Sequence, residues 1–518
     1  MPRQGVVAEH PEVARVALEI LKSGGTAADA AVAAMFLAGV VQSVSSGLGG
    51  GGFAIHYDAK HKKTTVIDFR ETAPVGLVPG TIDRLTAKRR GTLVGAPGEL
   101  AGLAELHRRW GSKPFNSLIE PAISAARNGF SISQHARRTA KASLPLVAGS
   151  AHAARFVAPL ATASRARNTT VATTLEQIQR EGIAAMYGGS IGQSIVTAAR
   201  ASGSSLTLDD LARYQVVTRE PLELSYGGLR ILTLPAPSAG GLLLAQTLLM
   251  HSPDSLRQIG YGTGSYYHLL AETFRTSLVD RIRHIGDPAY SKTPLEMLLS
   301  PSRLGKRRAS IALDRTRAEP WFEIGDGGTS HFSAIDRNGN AIAVTSSLGH
   351  MFGAKLFTST GFPLNDALTG FSTAQLLRRY HPRRKGPNRP VGGARPVSSM
   401  TPTLVLDARG VRMLLGGTGG SRAATGVTQV FLAQEVFGLT PEQAIRDARI
   451  HTPAGGGLRI DPDAPQGLRD NLRERGERLL DTLPNYGSVS VIRIAEQNGA
   501  LTIDMATDPR KGGAALAH

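Results

Sequence analysis

The sequence has no cysteine, which excludes disulfides, thiolate-bound zinc and cysteine nucleophiles together. Aromatic residues make up only 5% of its 518 positions. They do not interleave with the basic residues, as a surface that stacks nucleic-acid bases would require. Long apolar runs are missing too. The longest, Ala27 to Val41, is alanine-rich and carries Asp29, so it is short for a membrane span and reads as a buried helix. The opening Met1-Pro2-Arg3-Gln4-Gly5 holds no apolar signal core and no signal-cleavage pattern. These absences predict a soluble cytoplasmic protein with neither membrane nor nucleic acid as partner.

What is present suits a large folded core. Hydrophobic residues account for 41% and charged residues for 19%, ordinary proportions for a globular chain long enough for several domains or one two-part unit. Lys and Arg outnumber Asp and Glu by 59 to 41, a formal charge of +18. Such an excess can attract acidic substrates or nucleic acid, although an arginine-rich composition accounts for it more simply. Part of it is local: Arg378, Arg379, Arg383, Arg384, Lys385 and Arg389 crowd a stretch running to Arg395 that reads as an exposed loop. The 59 glycines cluster, which marks backbone that turns sharply or approaches something closely.

Periodicity predicts helices over Pro11–Leu21 and Thr26–Val41, then paired strands at Phe53–Tyr57 and Thr64–Phe69. A mainly helical region follows from Gly98 to about Val279, interrupted by a strand-like segment at 228–234. Residues 302–320 are basic with little apolar periodicity and read as exposed. Beyond them lie strands at His331–Asp336 and Ala341–Ser346 flanking Asn338-Gly339, a strong hairpin signal. Further strands are expected at Thr403–Asp407, Val411–Leu415, Ser488–Ile494 and Leu501–Met505. Helices followed by sheet-forming segments suggest a layered α+β fold.

The chemistry centres on Asp326-Gly327-Gly328-Thr329-Ser330-His331-Phe332-Ser333. A threonine hydroxyl is a poor nucleophile without a base beside it, and an N-terminal threonine carries its own base in the α-amine. That amine titrates ordinarily at about 8, close enough to neutrality to serve. Gly328 permits a backbone conformation that favours attack of the Thr329 hydroxyl on the preceding carbonyl. On these residues alone the signal is weak, since Gly-Gly-Thr before a strand is more often an ordinary turn. His331 reads as a structural strand residue.

The wider pattern decides between the two. Thr329–Ser333, Asp336-Arg337-Asn338-Gly339-Asn340 and Pro396-Val397-Ser398-Ser399-Met400-Thr401-Pro402 resemble the γ-glutamyltranspeptidase family of N-terminal-nucleophile hydrolases. So do Ser45–Phe53, Asp68–Pro74, Pro237–Gly241, Gly416–Arg422 and Asp508–Ala515, in the family's order and across nearly the whole chain. The resemblance implies a four-layer αββα sandwich, cleaved at Gly328–Thr329 into a large chain 1–328 and a small chain 329–518 that remain together as a heterodimer. A dimer of such heterodimers is compatible with it. No metal or organic cofactor is implied. Thr329 would be the nucleophile of both self-cleavage and catalysis, and Ser347 the hydroxyl supporting it. Gly419 and Gly420 would form the oxyanion hole. Arg70, Ser398 and Ser399 would hold a substrate carboxylate.

Departures from the family pattern bear on the substrate. Gly349, Ala367 and Gly370 stand where family members bind the free α-amino group of a γ-glutamyl donor with polar side chains. Asp366 would replace them only if its loop shifted. An ammonium buried against Gly and Ala loses hydration without compensation. The expected substrate therefore bears a carboxylate near the scissile bond and lacks that amine, as glutaryl, oxalyl or oxamate-type compounds do. Alternatives are a biosynthetic member cleaving a C–C bond beside an oxalyl group, and a processing-dead binding or scaffold protein.

Overall fold

A computed structural model describes residues 4–82, 90–147, 149–316, 328–382, 385–452, 457–481, 487–497 and 500–518. The helix Pro11–Lys22 begins where the His10 ring accepts the Glu12 N–H and Pro11 occupies the first turn. Its buried face is Val13, Ala14, Ala17 and Leu21. The helix Ala27–Val41 starts at a reciprocal cap between Thr26 and Asp29. Its alanines let it pack closely on all sides. Asp29 is buried there, its carboxylate accepting the N–H of Ser112 and the Ser112 hydroxyl. Among the described residues no helix is long and apolar enough to cross a membrane.

Two sheets form the centre. One has seven strands in the order Ala514–Ala517, Gly5–Ala8, Gly328–Ile335, Ala341–Gly349, Gly51–Asp58, Lys63–Phe69 and Val217–Arg219. The other has six: Ala500–Thr507, Ser488–Gln497, Gly410–Thr418, Thr403–Asp407, Leu229–Thr233 and Leu222–Tyr226. Phe53, Ile55, Leu232, Leu404, Leu414 and Ile492 pack in the layer between the sheets. Such side chains each contribute about 1.5–3 kcal/mol by leaving water. Helices of the first 200 residues cover the outer face of the first sheet, and Gly240–Met250, Gly264–His284 and Ser421–Glu435 cover the second. The architecture is the expected αββα sandwich.

The two chain ends meet in a way no local pattern indicates. Gly5–Ala8 lies between Ala514–Ala517 and Gly328–Ile335, pairing antiparallel with both. The first segment thereby lies beside the strand that carries Thr329, and the last lies beside the first.

Two surface expectations need correction. Within 302–320, Pro301–Ala309 is a helix, and Arg303 and Arg307, one turn apart, clamp the buried Asp280 carboxylate at 2.8 and 2.5 Å. The basic pattern conceals an inward-facing pair; residues 317–320 lie outside the described residues. The stretch 378–395 is not simply an exposed loop either. Ala374–Tyr380 is helical and includes Arg378 and Arg379, while Arg383 and Arg384 lie outside the described residues. Arg395 is buried, its backbone N–H donating to Asp287 at 2.7 Å and its guanidinium lying 3.5 Å from Asp68. Nearby carboxylates pull it in, which composition does not reveal.

Candidate active site

The Asn338-Gly339 turn closes the hairpin between Gly328–Ile335 and Ala341–Gly349, and the resulting register sets Ser347 opposite Thr329. The Thr329 hydroxyl donates to Ser347 Oγ at 3.2 Å. Ser347 Oγ in turn donates to the Gly328 carbonyl. It reaches that carbonyl because the register shifts between Ser347 and Gly349, so that Gly349 pairs with Gly328. One hydroxyl therefore touches both the Thr329 hydroxyl and the Gly328 carbonyl. Thr329 and Ser347 are buried, and little water competes. Asp326 and Gly327 lie outside the described residues.

Arg70, Thr329, Ser347, Gly349, Ser398 and Gly420 line one cavity of about 10 Å³, room for about one water. Arg70 follows the strand Lys63–Phe69, and its guanidinium donates to Glu71 at 3.0 Å. Arg70 Nε is buried without a hydrogen-bond partner. The Ser398 hydroxyl accepts the Met400 N–H at 3.1 Å. Its backbone interlocks with the 237–241 block, since Ser398 N–H donates to Pro237 and Ala239 N–H to Ser398. Ser399 has a different partner: its hydroxyl accepts from the buried Arg281 of the helix Gly264–His284. Gly419 and Gly420 end the strand Gly410–Thr418 with φ of 103° and 68°, conformations that favour glycine, and Gly420 caps the helix Ser421–Glu435.

At Gly349 the site departs from a polar amine-binding pocket. Its φ is +93°, and a Cβ there would stand 2.1 Å from Asp366 Oδ1. The Asp366 carboxylate is held by His350, accepting its backbone N–H at 2.8 Å and pairing with its Nδ1 at 2.7 Å. Asp366 thus fills the space into which a side chain at 349 would grow. Ala367 and Gly370 bound a short turn of 3₁₀ helix.

Burial governs the titration of the surrounding groups. It pushes the Glu71 carboxyl up, against the opposing charge of Arg70. Glu99, whose carboxylate accepts the Ser346 hydroxyl, is pushed up to about 8 by burial, with Glu71 adding to the shift. His331 is pushed down to about 3 by burial, and the Lys511 charge lowers it further. It is therefore neutral, paired with the Thr345 and Ser333 hydroxyls at 2.8 and 2.9 Å, which fits a structural role.

Reasoning from sequence missed a group under the strand Gly328–Ile335. Lys511 Nζ donates to the Thr329 carbonyl, to Glu9 Oε2 at 2.6 Å and to Thr418 Oγ1 at 3.3 Å. Glu9 also accepts the His331 N–H and the Thr418 and Ser488 hydroxyls. The only signal for this group was the block Asp508–Ala515. A second group, His268, Glu272 and Glu477, has metal-ligand residue types, but Arg275 bridges both carboxylates, so these oxygens already have a cation beside them.

The gamma-glutamyltranspeptidase family model matches residues 13–518. A glutathione hydrolase proenzyme of Bacillus subtilis (strain 168) is 31% identical over 558 residues, covering 99% of this chain and 91% of its own. One from Pseudomonas aeruginosa is 31% identical over 536 residues, covering 99% and 94%. The crystal structure of a cephalosporin acylase from Bacillus halodurans shares the fold with a TM-score of 0.86, at 23% identity over 99% of this chain and 96% of that one.

Proposed function

The chain belongs to the γ-glutamyltranspeptidase family, and from that premise we propose that it cuts itself between Gly328 and Thr329 and then carries acyl groups on Thr329. It is a divergent, self-processing enzyme of acyl transfer or hydrolysis. The observation that carries the finer reading is the hydrogen-bond chain from Thr329 Oγ1 through Ser347 Oγ to the Gly328 carbonyl.

In self-cleavage the Thr329 oxygen attacks the Gly328 carbonyl carbon. Ser347 donates to the carbonyl oxygen as charge gathers there and accepts from the attacking hydroxyl. The C–N bond breaks, the nitrogen gains a proton, and an ester joins Gly328 to the Thr329 oxygen. Water hydrolyses it, leaving chain 1–328 with a carboxylate and chain 329–518 with a free α-amine. In turnover the amine takes the hydroxyl proton as Oγ bonds to the substrate carbonyl, and the N–H groups of Gly419 and Gly420 meet the oxyanion. The proton passes to the leaving group. Water or an acceptor amine then releases the acyl group.

Two features support a carboxylate-bearing substrate without a free α-amine. Arg70 brings a buried Nε without a partner to the cavity wall beside Ser398, and an unmet guanidinium donor favours an anion. Gly349 offers no side chain to an ammonium, and Asp366 behind it is engaged by His350. Ser399 would act together with Arg281 rather than alone.

Denaturing mass spectrometry of the purified protein tests the first step. Fragments ending at Gly328 and beginning at Thr329 support it, whereas one lasting chain of 54.6 kDa would leave a processing-dead scaffold. A panel of glutaryl, oxalyl and γ-glutamyl anilides tests the second, and a strong preference for γ-glutamyl would refute it.

A further inference from the structure

Lys511 lies 502 residues beyond Glu9 in the chain yet shares one buried ion pair with it directly beneath Thr329. Its three ammonium protons meet three acceptors: Glu9, the Thr418 hydroxyl and the Thr329 carbonyl. Fixing that carbonyl orients the residue whose nitrogen becomes the α-amine. Cleavage breaks the bond on the other side of Thr329, and the carbonyl and strand pairing lie outside the reacting atoms.

Carbonyl oxygen and amine nitrogen belong to one residue, so the ammonium that touches the first lies within a few ångströms of the second. At that range, with both groups buried, the interaction of two positive charges is only weakly screened. It opposes protonation of the amine. The Lys511 charge already adds to the lowering of buried His331 and His135, after burial itself. Glu9 weakens the effect, but its carboxylate is shared with the His331 N–H and the Thr418 and Ser488 hydroxyls. Across the cavity Arg70 is paired with Glu71, and past Ser347 His350 is paired with Asp366. Lys511 is thus the cation bonded to the nucleophile residue itself.

We propose that Lys511 is a positioning residue for this reaction, holding the Thr329 carbonyl and keeping the freed Thr329 α-amine unprotonated near neutral pH. The inference rests on the self-cleavage reading above. A bare amine at neutral pH accepts the hydroxyl proton directly, whereas an ammonium could not.

The test is carbamylation of the cleaved protein by cyanate across pH 5 to 10, followed by mass spectrometry of the peptide that begins at Thr329. The wild-type midpoint should fall below the ordinary N-terminal value of about 8. Lys511→Met should raise it by about one pH unit, by loss of one nearby like charge. Lys511→Arg should leave it near wild type, and Glu9→Gln should lower it. Opposite shifts in K511M and E9Q separate a charge effect from general disruption. An unmoved midpoint in K511M, or shifts of the same sign in the two variants, would overturn the inference alone. If K511M is not cleaved, an unmoved or raised midpoint in E9Q overturns it. Folded E9Q and K511M that both remain uncut would also overturn it, by placing the pair in processing. Absence of a peptide starting at Thr329 in the wild type would instead remove the cleavage reading and this inference with it.

Discussion

The Thr329 hydroxyl donates to Ser347 Oγ at 3.2 Å across the hairpin, eighteen residues along the chain. That bond aligns the proposed nucleophile with a hydroxyl already committed to the adjacent Gly328 carbonyl. Removing either oxygen breaks the relay in a different place, which allows the two roles to be distinguished.

Thr329→Ala should abolish self-cleavage and leave a single chain. Ser347→Ala should still cleave, but slower by about 10²-fold, the typical loss when one positioned proton-transfer group is removed. Timed gel electrophoresis with mass spectrometry gives both rates. Equal rates in wild type and S347A would remove Ser347 from the mechanism.

Arg70→Met should lower kcat/KM for a carboxylated substrate by about 10–100-fold, since a charge-assisted hydrogen bond contributes about 1.5–3 kcal/mol. The loss should be smaller for an analogue carrying a neutral amide in place of that carboxylate. Steady-state kinetics on the pair of substrates checks this, and equal losses on both would argue against a carboxylate clamp.

Gly349→Ala should destabilise the fold by about 1–3 kcal/mol. The alanine would hold φ near +93°, with its Cβ 2.1 Å from Asp366 Oδ1. Adding Asp366→Ala removes the clash but not the backbone strain, so the two substitutions should be coupled rather than additive. Denaturant unfolding of the single and double variants measures this, and additive effects would contradict it.

Glu99→Gln should flatten the dependence of stability on pH. Burial pushes Glu99 up to about 8 in the folded protein, from an unperturbed 4.5. Between those values the unfolded chain has released its proton while the folded one keeps it. Stability present below about 4.5 is therefore lost as pH rises towards 8, at up to about 1.4 kcal/mol per pH unit for this group. Thermal unfolding from pH 5 to 8.5 should show Tm of the wild type falling relative to E99Q. Parallel curves would show that Glu99 does not titrate differently on folding.

Much of this was legible along the chain because it is encoded locally. The Thr26 cap, the Asn338-Gly339 hairpin and the alternation of helical and extended patterns depend on neighbours a few residues apart. The candidate site residues lie in blocks recognisable along the chain, and the cavity gathers Arg70, Thr329, Ser347, Ser398 and Gly420. Pairings between distant charges were not legible. Arg303 and Arg307 looked like solvent-facing residues until Asp280 was placed between them, and Arg395 until Asp287 and Asp68 were.

The sequence by itself determined the layered α+β class, the position of Thr329 at the head of a strand and the absence of a side chain at 349. Only the tertiary structure decided that Ser347 reaches the Gly328 carbonyl, that His350 holds Asp366, and that Lys511 joins Glu9 beneath Thr329. The reason is physical. Helix caps and hairpin turns are satisfied by atoms a few residues away, whereas a buried charge is tolerable only beside a partner. That partner can come from anywhere in the chain, and here it comes from opposite ends.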